Sequence, residues 1–395
     1  MSELLGPQFK ALPPSASGLT TAEFLATEPT VADLQTPLLT LSRDALDTNT
    51  AVMAAWTRDR GLQLAPHGKT TMAPSLWREL LDSGAWGITL ATPWQVQVGR
   101  AHGLERIMLA NSLVDPVAFA WIARELDDAG FDFTCWVDSV ESVELMTAAL
   151  GPLERPVDVL VELGVPGGRT GTRSVAEAVR VADAARASSS LRVRGVAGYE
   201  GAVAHDRAAA SVASISAYLA DLVTLHDSLR EHYEGRDPIV TAGGSGWVDL
   251  VADALEGVDA TVLLRSGVYQ LHDEGFYASV SAHSGELRAA VTGWARVVSR
   301  PEPGLAILDG GRRDFPFDDG LPVPLDLPGA RISALNDQHA FLQLSPDAAA
   351  TDLPVGTVVR LGISHPCGAM DRWSLVPVIA SRDDPRVIDL VRTYF

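Results

Sequence analysis

Leu62-Gln-Leu-Ala-Pro-His-Gly-Lys-Thr-Thr-Met-Ala-Pro74 opens the regular part of the chain. A short apolar run ends at Pro66, a polar turn carrying His67, Gly68 and Lys69 follows, and a helical stretch begins at Pro74. The same unit then repeats. Apolar runs recur at Gly87–Ala91, Arg106–Asn111, Phe131–Val137, Val157–Leu163, Leu191–Ala197, Pro238–Thr241 and Ala260–Arg265, with helical periodicity between them over stretches such as 74–83, 115–129, 140–150, 174–188 and 207–233. Short strands alternating with helices predict α/β architecture with a parallel sheet, and eight such units match a (β/α)8 TIM barrel in count and size. A doubly wound open sheet is the alternative.

Upstream, residues 1–35 are mixed, with Pro13-Pro14 favouring irregular structure. A strand is expected at Thr36–Leu41 and a helix from Ser42 to about Arg60. After Tyr277 the pattern changes. Val291–Val298, Leu305–Leu308, Arg331–Leu335, Ala340–Leu344, Gly356–Ile363 and Trp373–Val378 read as strands separated by Pro, Gly and Asp turns. The expected organisation is therefore a barrel domain over residues 1–280, whose first 35 residues could pack elsewhere, and an all-β domain over 281–395.

Composition narrows the function. A chain of 395 residues with 47% hydrophobic content buries a large core. A net charge of -19 argues against nucleic acid as a partner. No run of about 18 apolar residues suggests a membrane span, and no secretory signal is read at the N-terminus. Two distant cysteines, Cys135 and Cys367, make no disulfide framework. A cytoplasmic location is the expectation, with Cys135 an inert core thiol.

In a barrel the active site is built from the loops after the strands. Those loops here hold Lys69, Gly164–Gly171 with Arg169, Tyr199-Glu200-Gly201, Gly243-Gly244-Ser245-Gly246 and Arg265–Tyr269. Lys69 reads as a point charge or a nucleophilic amine, against the ordinary alternative of a solvated surface lysine. The glycines after the seventh strand would let backbone approach an anion, with Ser245 as a donor, where barrels commonly hold phosphate; a merely flexible turn is the other reading. In Ser364-His-Pro-Cys-Gly368, residues i and i+2 of an extended segment share a side, so His365 and Cys367 could grip one metal ion, with zinc favoured by imidazole plus thiolate. His339 could point to the same place, and Asp318-Asp319 reads as turn chemistry.

Taken together, Pro-His-Gly-Lys69-Thr, Glu162 with Gly-Gly-Arg169-Thr-Gly, Tyr199-Glu-Gly, Gly-Gly-Ser245 and the late His365-Pro-Cys367 resemble the fold-type III pyridoxal phosphate (PLP) enzymes, in particular the D-serine dehydratase / D-threonine aldolase group. The resemblance spans about Thr36 to Pro377. It implies an alanine racemase-like barrel, a β domain and a homodimer. It implies further that Lys69 carries the cofactor as a Schiff base. His67, Arg169, Tyr199, Gly243, Gly244, Ser245 and Tyr269 would line the cofactor. His365 and Cys367 would match the zinc pair of the dehydratases, where the aldolases have His and Asp. The activity so implied is zinc-assisted dehydration and deamination of a D-β-hydroxy amino acid to a 2-keto acid and ammonia. The alternatives are retro-aldol cleavage to glycine and an aldehyde, and a PLP-binding protein without turnover. Two departures stand out. Thr71-Met72 replaces a common His-Lys pair, and no tyrosine occurs between Ala278 and Thr393 to act as the second base of a racemase.

Overall fold

The computed structural model describes residues 3–235, 237–345 and 353–395. Eight strands form one parallel sheet: β2 (Gln63–Leu64), β3 (Ile88–Leu90), β4 (Arg106–Ser112), β5 (Asp132–Val137), β6 (Val157–Leu163), β7 (Leu191–Gly198), β8 (Ile239–Ala242) and β9 (Thr261–Leu264). They run β2-β9-β8-β7-β6-β5-β4-β3. The two ends meet, because Trp86 N donates to Leu64 O (2.7 Å), Thr89 N donates to Pro66 O (2.9 Å), and His67 bridges Thr89 in parallel. The eight apolar runs of the sequence are these eight strands. β6 is buried at every position, as expected of a parallel strand covered on both faces.

Met108, Trp136, Leu160, Ala197, Ile239 and Leu263 fill the inside of the barrel. A larger cluster outside packs the strands against the helices. The helices begin where the sequence supplies starts: Pro at the first turn of Pro74–Asp82, Pro93–Ala101 and Pro116–Glu125, and the side-chain caps Ser139 and Ser174 on the next two. The helix Ala209–Ser228 is long and apolar enough to cross a membrane. Here Ile215, Leu219, Leu222 and Leu225 are buried against the barrel.

The second sheet holds nine strands. β1 (Leu38–Ser42) precedes the barrel. The others are β10 (Val291–Glu302), β11 (Leu305–Leu308), β12 (Val323–Pro324), β13 (Arg331–Leu335), β14 (Ala340–Gln343), β15 (Val358–Gly362), β16 (Leu375–Ser381) and β17 (Asp384–Arg392). The expected boundary at residue 280 assigns β1 to the barrel, whereas its ladder is with β10 (antiparallel) and β16 (parallel). The chain thus starts in the β sheet, makes the barrel and returns. β1 is buried at every position, so it needs a sheet on both sides, which a barrel rim does not offer. The segment ahead of it also joins this side: Leu5, Phe9, Leu12, Phe24 and Leu34 pack on Trp294, Leu375 and Leu390. The two units share a core, with Leu46, Ala73, Leu76 and Leu271 packed among β-sheet residues such as Val291, Phe315 and Val378. That shared core fixes the β sheet against the barrel mouth.

Candidate active site

β2 ends at Leu64, and the chain enters a 3-10 turn over Gly68–Thr70. Gly68 is required by close packing. A Cβ there would lie 2.6 Å from Trp77 Nε1, whose N–H donates to Gly68 O at 3.1 Å. The turn carries Lys69 into the mouth. Burial pushes the Lys69 pKa below its ordinary value of 10.5; Arg169 and Arg265 act in the same direction and Cys367 opposes them. A lysine held toward neutrality is what nucleophilic and basic chemistry needs. His67, one turn earlier, is held neutral by burial and by Lys69, Arg265 and Arg169, and its buried Nδ1 has no hydrogen-bond partner among the described residues.

The loop after β6 is closed by a bridge between Leu163 and Thr172. Gly164 N donates to Thr172 O and Thr172 N to Glu162 O, both at 2.8 Å. The loop holds the exposed Arg169 with its guanidinium 4.9 Å from the Tyr199 ring centre. Tyr199 is placed from β7: its N–H donates to the Tyr218 hydroxyl (2.9 Å), which donates to Leu163 O (2.7 Å). Glu162, just below, has its pKa raised by burial, and its Oε2 is buried without a partner among the described residues.

The glycine loop after β8 packs against a buried carboxylate. The N–H groups of Gly243 and Gly244 donate to the Glu200 carboxylate, at 3.0 and 2.6 Å. Those two N–H groups are engaged within the protein. The reason is Glu200 itself, which is fully buried and must find donors. Both positions still require glycine: Gly243 has φ +93°, and a Cβ on Gly244 would lie 2.9 Å from the Tyr199 ring. The next residues keep donors available. Ser245 and Gly246 have backbone N–H groups without intramolecular acceptors among the described residues, and Ser245 Oγ lies 2.8 Å from Ser266 Oγ. Tyr269 is buried nearby with a phenol that makes no hydrogen bond among the described residues. Beneath them Arg265 is buried, donating to Thr241 Oγ1 (2.7 Å) and Gly198 O (2.5 Å).

The β sheet closes the other side. Cys367 Sγ lies 3.2 Å from Thr70 Oγ1, next to Lys69. The segment is not extended throughout, as the sequence reading supposed. His365 is extended and caps a short helix, Pro366–Met370, because Pro366 fixes φ for a first helical residue. His365 nevertheless lies near Cys367, and the thiol together with Asp318 pushes the His365 pKa up to about 9. His365 Nδ1 lies 2.7 Å from Asp318 Oδ2 and 3.4 Å from Asp319 Oδ2. Ligand atoms of Asp318, Asp319 and His365 all lie within 4.8 Å of one another, so they can share a cation. Asp318-Asp319 is thus more than turn chemistry. His339 does not join this cluster; it is exposed in the turn between β13 and β14.

The sequence reading did not assign site roles to Glu200, Arg265, Asp318 and Asp319. Glu200 and Arg265 stand inside motifs already quoted for Tyr199 and Tyr269. Asp318 and Asp319 gave no signal, since their pairing with His365 spans 47 residues of chain. The donor set fits PLP: an amine with a lowered pKa, backbone and hydroxyl donors unpaired among the described residues for a phosphate, and an aromatic ring under a guanidinium. The imidazole, thiol and carboxylates of the β sheet fit a borderline divalent metal such as zinc.

Such a barrel with a lysine at its mouth and a β domain over it defines a class. The chain belongs to the fold-type III PLP-dependent enzymes of the D-serine dehydratase-like family: residues 41–267 match the family of the alanine racemase N-terminal domain, and residues 290–379 the family described as "Putative serine dehydratase domain". It is 28% identical over 335 residues to the D-threonine aldolase of an Arthrobacter species, covering 85% of this chain and 86% of the other. It is 26% identical over 376 residues to the D-threo-3-hydroxyaspartate dehydratase of Delftia sp. strain HT23, covering 89% and 96%. The crystal structure of D-threonine aldolase from Filomicrobium marinum superposes with a TM-score of 0.80 at 25% identity, over 92% of this chain and 95% of that one.

Proposed function

We propose that this protein is a PLP-dependent, metal-assisted dehydratase of a D-β-hydroxy amino acid, releasing a 2-keto acid and ammonia. The observation that carries the reading is the contact of Cys367 with Thr70, which sets a metal-capable group against the Lys69 turn. When bound, PLP supplies an electron sink for charge at the substrate Cα, and a divalent ion supplies a Lewis acid for the oxygen on Cβ. Lys69 Nζ anchors the cofactor at rest. With the cofactor bound, the Lys69 amine would be the group placed to take the Cα proton, and burial and its cationic neighbours favour its neutral form. Arg169 and Tyr199, adjacent at the mouth, would orient the cofactor ring. The donors of Ser245, Gly246 and Tyr269 take the phosphate. His365, Cys367, Asp318 and Asp319 hold zinc or a similar ion. Exposed Trp94, Val114 and Val117 on the loops and helix starts of the mouth support operation as a homodimer.

Retro-aldol cleavage is the second reading. It is favoured by the carboxylates beside His365, which resemble an aldolase-type oxygen ligand in chemistry. Incubation with D-serine, D-threonine and D-threo-3-hydroxyaspartate, with and without chelator, separates the two. Keto acid and ammonia support dehydration, and glycine with an aldehyde supports cleavage. PLP binding without either product leaves a carrier.

A further inference from the structure

Tyr277 stands just outside the tyrosine-free stretch 278–393, and the fold brings it back to the site. After β9 the chain turns and runs beside the segment that follows β15. Glu274 N donates to Ile363 O at 2.9 Å, and a Cβ on Gly275 would lie 2.5 Å from Ser364 Cβ. Residues 274–277 are thereby laid along residues 363–367, which carry His365 and Cys367. The buried Asp273 locks this turn. Its carboxylate accepts from the N–H groups of Gly275 (3.1 Å), Tyr277 (3.2 Å) and Ala278 (3.0 Å). Phe276 packs edge-on against the Tyr277 ring at 5.1 Å.

Tyr277 is half-buried and within electrostatic reach of Cys367 and Asp319, on the metal-capable side, and of Tyr199, whose ring would lie under the cofactor. Its hydroxyl makes no hydrogen bond among the described residues. A phenol carries its proton at neutral pH. A rigidly presented, protonated phenol without a protein partner is a donor for something that enters the site. It is unsuited to act as a base.

We propose that Tyr277 binds substrate, its O–H donating a hydrogen bond to the oxygen on the substrate's Cβ where that oxygen meets the His365–Cys367–Asp319 end of the site. The proposal rests on the reading of the protein as an enzyme of β-hydroxy amino acids, and it holds for either reaction. Its consequence is selection: Tyr277 distinguishes a β-hydroxy amino acid from the same amino acid without the hydroxyl.

The test uses the holoenzyme with PLP and Zn2+, wild type and Tyr277→Phe. D-Threonine is the substrate and D-2-aminobutyrate, which lacks only the β-oxygen, is the competing ligand. The ring is retained, so packing is conserved. Loss of one donor to a substrate oxygen should lower kcat/KM for D-threonine by about 10–100-fold. The inhibition constant of D-2-aminobutyrate should stay within about 2-fold, and Zn2+ affinity, read by competition with a chelating dye, should not change. Equal weakening toward both ligands, or an unchanged kcat/KM, overturns the proposal while leaving the enzyme assignment intact. A wild type that yields neither keto acid nor glycine from any D-β-hydroxy amino acid overturns both.

Discussion

Replacing Gly68 by alanine is expected to damage stability and cofactor capture together. The added methyl would lie 2.6 Å from Trp77 Nε1, 2.9 Å from Trp77 Cε2 and 2.8 Å from Ile88 Cγ2. Trp77 and Ile88 are fully buried, so neither has space to retreat. Overpacking of this kind costs about 1–3 kcal/mol. Any shift of the indole also weakens its 3.1 Å hydrogen bond to Gly68 O, a net loss of about 0.5–1.5 kcal/mol. The sum is about 1.5–4.5 kcal/mol, read by urea denaturation of the apo form. Because the same turn presents Lys69, the visible absorbance band formed on adding PLP should also weaken. Trp77→Phe removes the nearest atoms, so the double variant should be less destabilised than the sum of the single variants. A Gly68→Ala protein within about 0.5 kcal/mol of wild type, with an undiminished band, would refute the packing argument.

Two further predictions concern the charges around the site. The Lys69 pKa is lowered from 10.5, so the rate at which apoprotein takes up PLP should rise with pH and level off below that value, as the neutral amine becomes the dominant form; stopped-flow absorbance would measure it, and a plateau only above 10.5 would contradict the burial argument. Asp318→Asn with Asp319→Asn removes both carboxylates from His365, and Zn2+ affinity measured by calorimetry should drop by about 10–100-fold or more; unchanged affinity would exclude them as ligands or ligand supports.

The eight barrel strands were readable because each is a short, largely buried apolar run followed by a polar loop. The same reading failed at β17 (Asp384–Arg392), whose burial does not alternate regularly and which includes Pro385; its pairing with β16, not its composition, makes it a strand. β1 was recognisable as a strand but not as a member of the second sheet, since ladder partners more than 240 residues away leave no local mark. In the site, loop position after a strand sufficed to single out Lys69, Arg169 and Tyr199. The hydrogen bonds of Gly243 and Gly244 to Glu200 could not be foreseen, because that acceptor lies 43 residues before Gly243. Asp318, Asp319 and Tyr277 acquire meaning only when the β sheet is docked on the barrel mouth.

The most direct test of the account is the absorbance spectrum of the purified protein supplied with PLP, compared between wild type and Lys69→Ala. The account predicts a visible band of cofactor bonded to an amine in the wild type, absent from Lys69→Ala. An identical spectrum in both, or no band in the wild type, would contradict Lys69 as the anchor and remove the basis for the proposed chemistry.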